Sequence, residues 1–328
     1  MKAGNGIIDL EDLKNYKSTW REPITGNYRN YKVYSMAPSS SGGIALVQLL
    51  KLSEHFPIAK FGSKSVKTIH VMAEMERRVY ADRAEHLGDS DFWDVPVDEL
   101  LDDSYIEGRV AEIDLSKATN SEEIIAMELA DIAESEETTH YSIIDAEGNA
   151  VSLTTTINSA YGSKVFVEGA GFLMNNEMDD FSSKPGVPNK YGLLGGAANS
   201  IQPGKRMLSA MTPTILDKDG KLFMVVGTPG GSTIITSVYQ TILNVIDHQM
   251  TMTEAVSQKR FHHQWKPDQI YMEKNAIDEA AIEELTRMGH KVKTRGSIGK
   301  VDAILVSPNG TYEGAADPRG DDWAIGVD

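Results

Sequence analysis

Glu137-Thr138-Thr139-His140-Tyr141-Ser142 decides how this chain is read, once it is set beside three later runs. Those runs are Asn175-Asn176-Glu177-Met178-Asp179-Asp180, Leu208-Ser209 and Thr228-Pro229-Gly230-Gly231-Ser232. A hydroxyl residue opening a strand, a pair of acids and a Gly-Gly turn are the parts of an amide-cleaving site. A threonine hydroxyl is a poor nucleophile unless a base is held beside it, and a free α-amine on the same residue can be that base. Thr138 lies in mid-chain, so the amine exists only if the Glu137–Thr138 bond is cut. The pattern therefore points to the precursor of a self-cleaving amidase with an N-terminal nucleophile.

Working outward, the segment before Thr138 is acidic and poor in aromatics: Glu122, Glu123, Glu128, Asp131, Glu134, Glu136 and Glu137 crowd residues 118–137. It reads either as a surface helix or as a mobile connector, and a connector suits a cleavable joint. After it the pattern turns to strands. Residues 139–144 and 150–157 form a hairpin about Asp145-Ala146-Glu147-Gly148-Asn149, which sets Thr156 and Asn158 roughly opposite Thr138. A second hairpin joins 212–216 and 222–227 around Asp217-Lys218-Asp219-Gly220. Helical spacing marks 8–16 (Asp9 as N-cap, Asp12 three on), 44–52, 66–87, 232–248 and 278–288. Residues 28–36 alternate as one strand, and further strands lie near 292 and over 303–306. In helix 66–87 the charges of 74–78 and of Asp82-Arg83 read as a solvated face. Strand pairs between helices predict an α+β fold.

At 328 residues the chain can be two domains or one large one, long enough to bury roughly 75% of its unfolded surface. Lys and Arg total 32 against 48 Asp and Glu, a net charge of −16, which argues against nucleic acid or an anionic membrane as partner. With no cysteine, disulfides, thiol catalysis and cysteine metal sites are excluded. No apolar run of about 18 residues is present to span a bilayer, and the first residues lack the apolar core of a signal peptide. The abrupt start suggests an internal start or a truncated chain.

Each candidate has a plain alternative. Thr138 is also a β-branched strand residue. Glu177, Asp179 and Asp180 read as a clamp for a charged amine or as a solvated, calcium-like loop, and no second run repeats a metal-ligand spacing. Gly230-Gly231 fits neither dinucleotide nor P-loop spacing; it is an oxyanion-facing turn or simply a tight turn. His262-His263 have no third ligand at metal spacing and read as packed or surface side chains, while His140 is expected to orient rather than titrate.

Taken in order, these pieces resemble the γ-glutamyltranspeptidase family. The resemblance rests on Thr138 to Ser142, Thr156-Ile157-Asn158, Asn175 to Phe181, Lys184 to Asn189, Lys205-Arg206 with Leu208-Ser209, Thr228 to Ser232, Arg260 to Trp265 and Asp317 to Asp322. Upstream, Pro38 to Gly43 and Tyr80-Ala81-Asp82-Arg83 also look like it, so the likeness runs the whole chain. It implies a four-layer αββα sandwich of the N-terminal-nucleophile hydrolases, here lacking the N-terminal part of the large subunit. Residues 1–137 would be the rest of that subunit, mostly helical, and 138–328 the small catalytic subunit. Thr138 would attack the γ-amide of glutathione or a related compound, passing the acyl group to water, an amino acid or a peptide, with no cofactor and no metal. By the same resemblance Thr156 supports Thr138, Gly230 and Gly231 form the oxyanion hole, Asn158, Glu177 and Asp180 hold the donor α-amine, Ser209 its α-carboxylate, and Tyr191 belongs to a lid. Location would be periplasmic or secreted.

Two departures stand out. The family's large subunit extends further upstream and carries an arginine for the α-carboxylate, and Ala210 stands where a second serine is usual. Two other readings follow: an N-terminal-nucleophile acylase of altered substrate range, or an uncleaved, non-catalytic remnant.

Overall fold

The computed structural model describes residues 1, 4, 6–124, 138–182 and 195–327. In chain order the helices are α1 (Leu10–Asn15), α2 (Gly42–Glu54), α3 (Ile58–Phe61), α4 (Val66–His86), α5 (Val97–Leu101), α6 (Asp103–Ala111), α7 (Thr233–Ile246), α8 (Met252–Ser257) and α9 (Glu279–Arg287). The strands are β1 (Ile24–Tyr28), β2 (Tyr31–Ser35), β3 (Thr138–Ile144), β4 (Ala150–Thr156), β5 (Phe166–Val167), β6 (Phe172–Leu173), β7 (Thr214–Lys218), β8 (Lys221–Gly227), β9 (Phe261–His262), β10 (Ile270–Glu273), β11 (Val292–Arg295), β12 (Asp302–Val306) and β13 (Tyr312–Ala315).

Local chemistry sets many of these limits. Asp9 accepts the N–H groups of Glu11 and Asp12 while Asp12 returns a bond to the Asp9 N–H, a reciprocal cap that starts α1. Ser65 and Asp278 cap α4 and α9 one way only, accepting the N–H groups of Thr68 and Ala281. Between β7 and β8 only Asp219 and Gly220 remain unpaired, both at positive φ, the two-residue loop whose twist matches a hairpin. The expected strand over 28–36 is found as β2 across 31–35; β1 before it was not expected, and the chain reverses between the two at Arg29, where φ is 55.

The main sheet is antiparallel throughout, ordered β1-β2-β7-β8-β12-β13. Side chains alternate across it. Val33, Leu216, Met224 and Val226 face a core built from α2, α4 and α7, with Leu46, Leu49, Met75, Val79, Ile235 and Ile242 buried. On the opposite face lies the hairpin β3–β4. The His140 imidazole sits where Gly227 has no side chain, and Ser152 Oγ bonds both the Val226 carbonyl and the Thr214 N–H at 3.0 Å. The arrangement is a helical layer, a sheet and a stacked hairpin, a mixed α and β fold with antiparallel pairing. The outer side of the hairpin shows Tyr141, Ile143, Val151 and Leu153 to solvent. Among the described residues no helix is long and apolar enough to cross a membrane.

One expectation is reversed. Glu74, Glu76, Arg77, Arg78, Asp82 and Arg83 are not a solvated face; none is more than 3% exposed. Charges at 74, 76, 77 and 78 fall on all sides of a helix, so no single outward stripe can hold them all. They pair instead. Arg77 and Arg78 both meet Glu74, at 3.2 and 2.8 Å, Arg77 also meets Asp268, and Arg109 meets Asp82.

Candidate active site

Thr138 opens β3 and Thr156 closes β4, and the register makes them direct cross-strand partners. Thr138 Oγ1 donates to Thr156 Oγ1 at 3.2 Å, and Thr156 Oγ1 also accepts the Asn158 N–H at 2.8 Å. Asn158 makes that contact from φ 72, a left-handed conformation that asparagine tolerates better than most residues. Its side-chain amide donates to the Asn176 carbonyl at 3.2 Å, tying the hairpin end to the acidic run. His140, two residues along β3, is buried between Thr154 and Ser142 hydroxyls, and burial pulls its pKa down to about 4. It is neutral at pH 7, which fits an orienting role.

The Gly-Gly run joins β8 to α7. Gly230 has φ 141 and Gly231 φ 56, and the carbonyls of both accept the first N–H groups of α7. The backbone amides here stand at the positive end of a 14-residue helix, where an anion is stabilised. A β-carbon at Gly230 would lie 2.7 Å from Thr233 Oγ1 and 3.3 Å from Gly299 Cα. Gly230→Ala is therefore expected to cost about 1–3 kcal/mol, read as a lower denaturation midpoint in urea.

Thr138, Thr156, Asn158, Asp180, Ser209 and Gly231 line one cleft, closed at its sides by Leu208, Ala210, Met211 and Ile234. Asp180 ends the short 3-10 turn Glu177–Asp180, while Asn199 Nδ2 holds its carbonyl at 2.7 Å. Glu177 begins the same turn but does not line the cleft; burial raises its pKa to about 7. Gly230 backs Gly231. Tyr191 and Glu137 lie outside the described residues.

Arg83 also lines the cleft; its run Tyr80-Ala81-Asp82-Arg83 belongs to the resemblance, which gave it no role. The usable signal was the excess of charge around α4. Tyr80, one turn earlier, donates its hydroxyl to the carbonyl of Ser232, the residue after the Gly-Gly turn. His262 and His263 are both buried, bonded to Thr236 and Gln264 and to Asp268 respectively. Ser232 Oγ reaches the same Gln264 at 2.7 Å, so these residues buttress the turn from behind. His70, Glu74 and His290 bring ligand atoms within 4.8 Å of one another. Both Glu74 oxygens are already held, by Arg77, Arg78 and the Thr119 N–H, and the two imidazoles bond each other at 2.7 Å. Its one carboxylate is therefore already committed to two arginines.

A sequence model of the family described as gamma-glutamyltranspeptidase matches residues 1–327. The chain belongs to the γ-glutamyltranspeptidase family. Among its relatives, the glutathione hydrolase proenzyme of Escherichia coli K12 is 47% identical over 99% of this chain, and that of Pseudomonas aeruginosa 45% over 98%. The acylase ACY 1 proenzyme of a Pseudomonas strain is 36% identical over the full chain. The chain spans 56% of the length of the first of these, 57% of the second and 56% of the third. Of solved structures, the γ-glutamyltranspeptidase of Pseudomonas nitroreducens complexed with L-DON is 48% identical with a TM-score of 0.56, covering 58% of this chain and 100% of that one. Cephalosporin acylase from Bacillus halodurans is 26% identical with a TM-score of 0.79, covering 98% of this chain and 55% of that one.

Proposed function

We propose that this chain is the catalytic part of an enzyme that cuts itself between Glu137 and Thr138 and then transfers or hydrolyses γ-glutamyl groups from glutathione and similar amides. The observation that carries the reading is the hydroxyl pair Thr138–Thr156 at the head of a hairpin, facing Gly231 and Asp180 across one cleft. Residues 1–137 would remain as part of the large subunit and 138–328 form the small one. A solved relative whose whole chain matches 58% of this one supports that division, since residues 138–328 are an equal share. The full architecture would be an αββα sandwich, with a further layer over Tyr141, Ile143, Val151 and Leu153.

In this mechanism the α-amine of Thr138, with an ordinary pKa of about 7.7–8.0, takes the hydroxyl proton as Oγ1 attacks the γ-carbonyl. The Gly230 and Gly231 amides would stabilise the oxyanion, a contribution of about 2.7–4 kcal/mol per donor. The ammonium returns its proton to the departing amine, leaving a γ-glutamyl ester on Thr138. Water, or the amine of an amino acid or peptide, then attacks the ester and gives its proton to the same α-amine, which returns it to Thr138 Oγ1 as the Oγ1–acyl bond breaks and the product leaves. Thr156 would hold Oγ1 in place. Asn158 and Asp180 would hold the donor ammonium, with Glu177 on the same turn as Asp180 adding its charge from outside the cleft lining, Ser209 would hold the carboxylate, and Tyr191 would screen the site. Export to the periplasm or medium fits a role on external peptides.

The acylase relatives together with Ala210, which lines the cleft without a hydroxyl, favour one second reading: an acylase of altered substrate range. Intact mass after incubation near neutral pH tests the first step. Two species divided at Thr138 are expected, whereas one uncut species in the complete protein would remove the nucleophile's base and the mechanism with it. The Glu177 pKa of about 7 adds a pH signature. An ammonium needs the ionised carboxyl, so binding releases the proton and donor affinity falls as pH drops through 7. The dissociation constant of a non-reacting γ-glutamyl analogue should rise up to about tenfold per pH unit below that point. Glu177→Gln should flatten the profile.

A further inference from the structure

We infer that Arg83 is the positioning residue for the amino-acid head of the donor: from α4 it fixes the Ser209 arm of the cleft through Ser41 and sets a positive charge toward Asp180. The inference rests on the γ-glutamyl reading above. Arg83 Nε donates to Ser41 Oγ at 2.9 Å, and the Ser41 hydroxyl donates onward to the Ser209 carbonyl at 2.7 Å. The Ser41 N–H reaches the same carbonyl at 2.9 Å, while the Ser209 N–H bonds the Ser39 carbonyl at 3.0 Å. Ser209 is thus held on both sides of its peptide, and its Oγ is oriented by the Met211 N–H at 3.0 Å.

The charge of Arg83 is the second part. Arg77 and Arg78 on the same helix each make close contact with carboxylates. Arg83 is as deeply buried, yet among the described residues its charge is met by Asp180 only at longer range. Burial pulls its pKa down to about 10, so it is still a cation at neutral pH. A guanidinium left without a contact carboxylate in a packed core is costly. It is explained where the cation has a task in the cleft it lines. A zwitterionic amino-acid head has its charges on one carbon, and here the acid for its ammonium and the arm for its carboxylate share one cation. The guanidinium sets a positive charge toward Asp180 and fixes the spacing between the two binding arms. It touches neither Thr138 nor the Gly-Gly turn by hydrogen bond, so cleavage does not need it.

The test compares Arg83→Met and Ser41→Ala with the parent, all in the complete protein. It reads self-cleavage by intact mass and KM and kcat on a γ-glutamyl anilide. Arg83→Met should raise KM about tenfold or more, as for loss of one hydrogen bond to a charged group. It should leave kcat within about threefold and cleavage at the parent rate. Ser41→Ala, too small a change to threaten folding, should move KM the same way by a lesser factor, and it decides the matter if Arg83→Met does not fold. An unchanged KM in both variants overturns the inference, as does a parallel fall in cleavage and kcat, the mark of a merely structural arginine. A parent protein that cleaves but accepts no γ-glutamyl donor overturns the functional reading first and this inference with it.

Discussion

Thr138→Ala is expected to stop both self-cleavage and turnover while leaving the fold in place. The substitution removes one hydroxyl, whose recorded bond is the 3.2 Å contact to Thr156 Oγ1. Losing a single neutral hydrogen bond at a half-buried position costs about 1 kcal/mol or less. Catalysis loses its attacking atom, and removal of a nucleophile lowers kcat by on the order of 10⁴-fold or more. Intact mass should show one uncut species, circular dichroism an unchanged fold, and γ-glutamyl anilide hydrolysis only background. A Thr138→Ala protein that still splits at that bond would refute the assignment.

Arg260→Met should produce the largest loss of stability. Arg260 is buried and donates to Asp317 at 2.8 Å and to the carbonyls of Ile298 and Val256 at 2.8 and 2.6 Å. Asp317 in turn accepts from Arg319 and from the Val301 N–H, and Arg319 reaches Glu273. One guanidinium therefore ties the end of α8, the loop before β12 and the segment after β13. Taking it away leaves buried carbonyls unpaired and a buried carboxylate short of positive charge, a loss of about 3–5 kcal/mol. Set against a total stability of about 5–15 kcal/mol, that change is large. Urea unfolding should show a lower midpoint at constant slope; a shift equivalent to less than about 1 kcal/mol would mean the network is redundant.

What the sequence made legible was mostly local. The Thr138–Thr156 register follows from a hairpin centred on Glu147, because turn chemistry at Asp145 to Asn149 fixes where the chain reverses. The caps at Asp9 and Asp278 and the Asp219-Gly220 loop are equally local signals. Pairing between distant strands was not legible. β2 meets β7 across almost the whole middle of the chain, and no pattern inside either strand names its partner. The burial of α4 was misjudged for the same reason: Asp268 and Glu112, which neutralise Arg77 and Arg78, are remote in sequence. Arg29-Asn30 lacks the glycine that usually betrays a two-residue loop, so β2 was legible as a strand while β1 and the hairpin were not. Gathering Asp180, Ser209 and Gly231 around Thr138 came from resemblance, since spacing alone left each with a structural alternative.

The β2–β7 ladder has a thermodynamic consequence. Tyr31 to Ser35, before the scissile bond, pairs residue for residue with Lys218 to Thr214, after it, and both pack on the same helices. The proposed cut before Thr138 would thus divide the covalent chain without dividing the folded body. Unfolding is another matter: an uncut chain unfolds to one molecule, a cut one to two that diffuse apart. Mass action then makes the midpoint of the matured protein rise with its concentration, while that of uncut Thr138→Ala stays fixed. The proposed cut would exchange one chain for two halves that must find each other to refold.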